Sequence, residues 1–298
     1  MKRIFLLIIG LLTSALVQAS TFVFHDGRET VSRVLSMSLS ASSSYQVPIL
    51  SNPDTQLRDG DLVITVGHHS YARICESHAD VSIITLFLGE EEFEVARAQC
   101  PKASTAVFSG APLDLRLKVL QSFWEDHAPI AVVHSDALSL SERTLRLAKL
   151  QSVEVYSYPI AEEGREEKLK HLTDVLESSN LVMSLYDSAL FDPQFSKDAI
   201  RLMFHKKKAL AAHSLQLVRA GALFALYSTS QDKLELVTSY IKGYDASGAL
   251  MPASYPTPLR IAFNPYLIRM YGLVLPTDRF LLSEFGLCPE SGCEESLN

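Results

Sequence analysis

Five short clusters combine residue types that hold small polar molecules: His25-Asp26, Gly67-His68-His69, His134-Ser135-Asp136, Tyr186-Asp187-Ser188 and His213-Ser214. Serine hydroxyls, together with amides at a helix N-terminus, suit a carboxylate or phosphate. Asp26 or Asp187 could hold an ammonium group. Histidine donates to an anion, stacks on a ring or ligates a metal. The bland alternative is that each histidine is a loop residue with a satisfied hydrogen bond. A transition-metal site built from several of them has suitable ligand types, but no spacing here fixes its geometry. His78, His127, His171 and His205 read as solvated helix or loop residues. The acidic run Glu90, Glu91, Glu92 reads as the solvated first turn of a helix, favoured by the dipole. Trp124 falls on the apolar side of its helix and reads as core.

What must position the clusters is the alternation around them. Apolar, strand-like runs cover residues 21–26, 61–69, 81–88, 104–110, 129–136, 153–160, 180–188 and 208–214. Helical patterns separate them at 31–44, 70–78, 90–99, 113–124, 140–150, 162–178 and 192–206. Continuous apolar strands between helices predict parallel sheets covered on both faces. Two such series predict an α/β protein of two Rossmann-like lobes. Each cluster then sits at the carboxyl end of a strand, outside which ligands bind in open α/β sheets. Closing the lobes would bring the clusters face to face.

Later segments read as connections. Residues 215–220 form a short helix, Arg219 complements its C-terminal dipole and Gly221 suits the cap. The run 222–228 then reads as a strand without partners in its own lobe, crossing to the other; its Tyr227 would reach the cleft or merely pack. Residues 234–244 are helical. Residues 254–264 carry two prolines and suit a crossover or an edge strand.

Val218, Ala220, Gly221, Ala222 and Leu223, then the extended proline segment, then Asn264 and the stretch from Gly272 to Pro276 form an ordered set. In that order they resemble the C-terminal third of the ABC transporter substrate-binding family that includes tryptophan- and tyrosine-binding proteins. The resemblance covers most of the chain in pattern and about its last quarter in motif. It implies the type I periplasmic-binding-protein fold: parallel sheets in two lobes joined by a three-segment hinge. The expected division is 1–19 as signal peptide, 20–109 plus 225–251 as lobe 1, and 110–224 plus 252–298 as lobe 2. The resemblance also implies a small zwitterionic or aromatic ligand. The sequence departs from the family pattern at His134 and His213, where Asn, Ser or Asp is commoner, which weakens the match to an amino acid.

The remaining features bound the setting. Lys2 and Arg3, an apolar core over 4–17 and the small-residue site ending at Ala19 predict a signal peptide cut before Ser20; an uncleaved anchor is the alternative. Export to the periplasm follows. Cys75 and Cys100 flank one strand-like run and Cys288 and Cys293 close a short loop, so two local disulfides are expected. A zinc site is the other reading, but paired C-x-x-C spacing is absent. A net charge of −7 and the lack of a basic stripe argue against nucleic acid. No G-x-S-x-G elbow, P-loop, G-x-G-x-x-G or H-E-x-x-H occurs, so neither an enzyme nor a cofactor is expected.

The expectation is thus a monomeric periplasmic protein that captures a small polar or aromatic metabolite and delivers it to the permease of an ABC importer. The alternative is a sensory module that docks on a membrane receptor. Its expected ligand-binding residues are Asp26, Gly67, His68, His69, Ser135, Asp136, Asp187, Ser188, His213 and Ser214, with no metal and no catalytic group.

Overall fold

The computed structural model describes residues 19–125, 128–138, 140, 146, 155–161 and 164–293. The expected signal peptide and most of the expected 140–150 helix lie outside the described residues, as does His127. Strand β1 (Thr21–Phe24) is followed by α1 (Glu29–Ser42) and the single turn α2 (Pro53–Gln56). Then come β2 (Leu62–Val66), α3 (His68–Cys75), β3 (Ser82–Leu86), α4 (Glu90–Gln99) and β4 (Ser104–Val107). These strands form an all-parallel four-stranded sheet in the order β1-β2-β3-β4. Outside β1 runs one further rung: Ile49 bridges Val23, and the Val23 N–H donates to the Pro48 carbonyl at 2.9 Å. Proline has no N–H to continue a ladder, so this strand stops at a bridge. Counted with it, the order along the sheet is the flavodoxin-like 2-1-3-4-5.

The chain then crosses through residues 108–112 into α5 (Leu113–Gln121), β5 (Ile130–Ser135), β6 (Val155–Ile160) and α6 (Arg165–Ser178). It continues through β7 (Leu181–Ser184), α7 (Pro193–His205), β8 (Ala209–Ala212), α8 (Leu215–Ala220) and β9 (Phe224–Tyr227). Helix α9 (Ser230–Ser247) packs back on the first sheet, against α1, β3 and β4. The last elements are β10 (Leu259–Phe263), α10 (Pro265–Tyr271), α11 (Asp278–Phe285) and β11 (Leu287–Pro289). The second sheet has seven strands in the order β11-β10-β9-β8-β7-β5-β6. Its parallel part again reads 2-1-3-4-5.

Both faces of each sheet are covered, which is why the strands read as unbroken apolar runs. On β2, Leu62 and Ile64 point to the α1/α9 side with Val237 and Ile241, while Val63 points to the α3/α4 side with Ile74 and Phe93. The second sheet likewise carries one core with Leu117 and Phe123 and another with Leu172 and Phe195. Each lobe therefore holds itself together without the other. The disulfide Cys75–Cys100 ties the end of α3 to the end of α4 with Cα atoms 5.3 Å apart, and Cys288–Cys293 closes its loop at 4.8 Å.

Two expectations are corrected. Run 222–228 does not leave its lobe: β9 is central, parallel to β8 and antiparallel to β10. Ala225, Leu226 and Tyr227 therefore belong to the larger sheet, and the crossing begins one residue later, at Ser228–Thr229. Secondly, Leu259–Phe263 is not an edge strand, because β11 pairs outside it. Its prolines, Pro256 and Pro258, precede the strand and leave its amides free to pair. The expected parallel sheets are present, and the second adds one antiparallel pair, β9/β10, beyond its parallel part. Among the described residues no helix is long and apolar enough to cross a membrane.

Candidate functional site

In each lobe the strand order reverses beside the first strand, β1/β2 in one and β5/β7 in the other. Crevices at such switch points are where open α/β sheets bind ligands. The two face each other across a cleft of about 790 Å³ whose lining includes Asp26, Gly67, His68, His69, Ser135, Asp187 and Ser188. Sequence-expected residues from four strand ends and both lobes are thus brought together.

Local chemistry sets each position. Gly67 carries the chain from β2 into α3 at φ 80°, ψ 170°, a conformation essentially reserved for glycine, and so aims His68 and His69 into the cleft. The Asp26 N–H donates to Ser70 Oγ at 2.9 Å, which pins the end of β1 to α3 and leaves the exposed Asp26 carboxylate at the rim. Ser135 is 1% exposed, and its Oγ has no hydrogen-bond partner within the protein. His25 Nδ1, on the same wall, is also buried without one. Lining the cleft, these two polar atoms are free to pair with water or with a ligand that enters it.

Asp187 has a different part. Its carboxylate accepts the N–H of Ser135 at 2.5 Å, of Ala189 at 3.1 Å and of Leu190 at 3.2 Å. It spans the β5/β7 switch point and holds both loop tips, so its capacity to accept a ligand ammonium is largely used.

Glu92 was expected in solvent and is not. It is 5% exposed, lines the cleft, and accepts a hydrogen bond from the Ser188 hydroxyl of the opposite lobe. Burial pushes its carboxyl up to about 7, with nearby Asp187 adding in the same direction and the Ser188 hydroxyl opposing. His68 Nδ1 lies 3.9 Å from it. A run of three glutamates on a helix start reads as solvated; the usable signal is that Glu92 closely follows the carboxyl end of β3, where the strand-end rule applies as well.

His213 and Ser214 are elsewhere. The cleft is split where Gly89 of the first lobe packs on Tyr186 of the second, so closely that a Cβ on Gly89 would lie 2.6 Å from the Tyr186 carbonyl oxygen. Beyond this wall is a second compartment of about 520 Å³, to which His213, Ser214 and also Tyr227 belong. His213 shares a 2.9 Å hydrogen bond with Ser184 Oγ and meets the rings of Tyr186 and Phe191 edge-on. Burial, with Arg116 adding, depresses its imidazole to about 3, so it is neutral. This serine–histidine pair is not a built nucleophile: Ser184 is 0% exposed and so weak a base would not activate it. Arg116 itself is buried and donates to the carbonyls of Ser184 at 2.7 Å and Ala211 at 3.0 Å, closing off the ends of β7 and β8.

The cluster His134-Ser135-Asp136 supplies less than expected. Asp136 is exposed and lines neither compartment. His134 is buried between β5 and β6, its Nδ1 donating to the Ser135 carbonyl at 2.7 Å and its Nε2 paired with the Ser157 hydroxyl at 2.5 Å. Trp124 is partly buried against the core and meets Tyr271 edge-on, as its position suggested. Among the described residues no group of three or more His, Cys, Asp or Glu is placed to hold a metal ion.

Two β/α lobes of this strand order, joined by crossings at 108–112, 228–229 and 254–258 with a cleft between them, define the type I periplasmic-binding-protein fold. Solved structures agree. The chain is similar to an ABC domain from Streptococcus pneumonia in complex with L-Trp: TM-score 0.65 and 12% identity, covering 91% of this chain and 99% of that one. It is similar to a conserved domain protein from Vibrio cholerae O1 biovar eltor, at TM-score 0.61 and 13% identity over 87% and 96% of the two chains. A ligand-free, open substrate-binding protein with adhesive properties from Clostridium difficile matches at TM-score 0.57 and 12% identity over 87% and 95%. The resemblance read from the C-terminal motifs therefore holds for the fold. No protein-family model matches the chain, and no curated protein matches it.

Proposed function

We propose that this is an exported solute-binding protein that captures a small polar or aromatic metabolite between its lobes and delivers it to an ABC importer. One observation carries the reading. The switch points of two separately packed lobes converge on a single cleft in which Ser135 Oγ and His25 Nδ1 are buried and unpartnered. A ligand hydroxyl, carboxylate or amine would satisfy them. Asp26, His68, His69, Ser135 and Ser188 are the contact residues of this reading; Gly67 and Asp187 hold the loops that present them.

The hinge supports a capture role. Three short crossings link lobes that keep separate cores, so the lobes can rotate without unfolding. The contacts Gly89–Tyr186 and Glu92–Ser188 belong to a closed arrangement. The Clostridium difficile structure is described as open, and the Streptococcus pneumonia one holds L-Trp. In this reading the chain is a monomeric binding protein and not an enzyme, it acts in the periplasm after cleavage before Ser20, and its macromolecular partner is the importer's permease.

The test is native mass spectrometry of the full chain expressed with its N-terminal segment and recovered from the periplasm. The expected species begins at Ser20 and carries a small molecule that is released on acid denaturation. Protein that arrives empty and shows no thermal shift with amino acids, sugars or organic acids overturns the reading.

A further inference from the structure

The second compartment plays no part in the reading above, and its charge sets it apart. Lys233 on α9 and Arg260 on β10 reach its wall from opposite lobes. Arg219 is there too, but Glu290 holds it at 3.0 Å. Among the described residues no carboxylate lies within ion-pair distance of Lys233 or Arg260. The nearest acid to Lys233 along its helix, Asp232, already accepts the Thr229 N–H at 2.7 Å as part of the α9 capping box.

Lys233 Nζ donates to the Ser228 carbonyl at 2.9 Å and to Ser228 Oγ at 2.7 Å, which uses two of its three donors. Arg260 Nε is buried with no partner in the protein. Burial lowers the Lys233 ammonium to about 8, and the charge of Asp232 only partly opposes it. Lys233 and Arg260 are half-buried, neither has an ion-pair partner among the described residues, and both face one cavity at the lobe junction, which suits an anion.

The rest of the lining narrows the class. Glu290 is the acidic side chain of this wall, and it is engaged by Arg219. A ligand ammonium would therefore meet hydroxyls and two cations. Phe87, Tyr186 and Tyr227 supply flat apolar surface, and about 520 Å³ suits a small organic molecule. We infer that this compartment binds a small organic carboxylate with a flat apolar body, held by Lys233 and Arg260, and discriminates against zwitterionic amino acids.

Titration calorimetry on the full mature chain tests this with four probes: benzoate, phenylacetate, L-phenylalanine and inorganic phosphate. Benzoate or phenylacetate is expected to bind, and L-phenylalanine to bind at least about tenfold more weakly. Lys233→Met and Arg260→Gln should each weaken the carboxylate by about tenfold or more, whereas Lys242→Met, exposed on the same helix, should not. If one cavity variant fails to fold, the other decides. The inference is overturned if neither carboxylate binds at millimolar concentration, if phosphate alone binds, if L-phenylalanine binds equally well, or if the folded variants bind like wild type.

Discussion

Gly89→Ala separates closure from folding. Gly89 has φ −77° and ψ 165°, an extended conformation that alanine adopts freely, so the substitution imposes no backbone strain within its own lobe. The obstacle is across the cleft. The new Cβ would lie 2.6 Å from the Tyr186 oxygen and 3.0 Å from its Cβ, well inside van der Waals contact, and the nearest atom is backbone. Overpacking of this kind costs about 1–3 kcal/mol where nothing can yield. Here the hinge yields, so the penalty falls on the closed state and not on either lobe. A shift of about 1–3 kcal/mol against closure lowers ligand affinity about 5- to 150-fold. Small-angle scattering should show a larger radius of gyration for the variant, calorimetry a weaker ligand, and thermal unfolding little change. Unaltered dimensions and affinity would refute the reasoning. So would a melting temperature lowered by several degrees without opening, because that would place the contact inside one folding unit.

Glu92→Gln addresses the other interlobe contact. A carboxyl raised from 4.5 to about 7 favours the buried state fully below its ordinary value and loses that advantage as pH climbs to about 7. The difference is at most about 3 kcal/mol. Closure of the wild type should therefore weaken between about pH 5 and pH 7, and Glu92→Gln should flatten that dependence although Asp187 and His68 still face the site. An unchanged pH profile in scattering argues against it. Asp187→Ala strands three backbone N–H groups and is expected to lower stability by about 3 kcal/mol or more in denaturant unfolding. Replacing Cys75 and Cys100 together by serine opens a loop of sequence separation 25 and should cost roughly 3 kcal/mol in the same assay.

Local pattern and long-range geometry were not equally legible in the sequence. Strands such as Leu62–Val66 and Ile130–Ser135 are visible because a doubly covered strand is apolar along most of its length and does not alternate. The strand-end rule then points to Asp26, His68, Ser135 and Asp187 without knowing the order of strands. Partner order is where it fails. Nothing within residues 222–228 says that β9 lies between β8 and an antiparallel β10, because pairing is decided by segments far along the chain. Glu92 was misread for a related reason. Its helix places it on the cleft side of one lobe, and the hydrogen bond it receives there comes from Ser188 of the other. The division of the cleft is equally invisible, since it depends on Gly89 having no side chain opposite Tyr186. Residue type indicated what the loop tips can bind; which tips share a compartment is a property of closure.

That division has a thermodynamic consequence. Both compartments are walled by both lobes, and the second also borders two of the crossings through Ser109, Gly110, Ser228 and Thr229. Whatever fills either one acts on a single opening equilibrium. A ligand that prefers the closed form in the first compartment raises the closed population, and a carboxylate held between Lys233 and Arg260 then meets both cations already assembled. Linkage makes the effect mutual: the factor by which one ligand tightens the other is the same in either direction. Benzoate should thus strengthen binding of the co-purified solute, and the gain should be limited by how open the empty protein is. Gly89→Ala should enlarge the coupling, because it raises the open fraction that each ligand must overcome. Strict additivity of the two binding free energies, in wild type and variant alike, would mean that the compartments do not share a hinge.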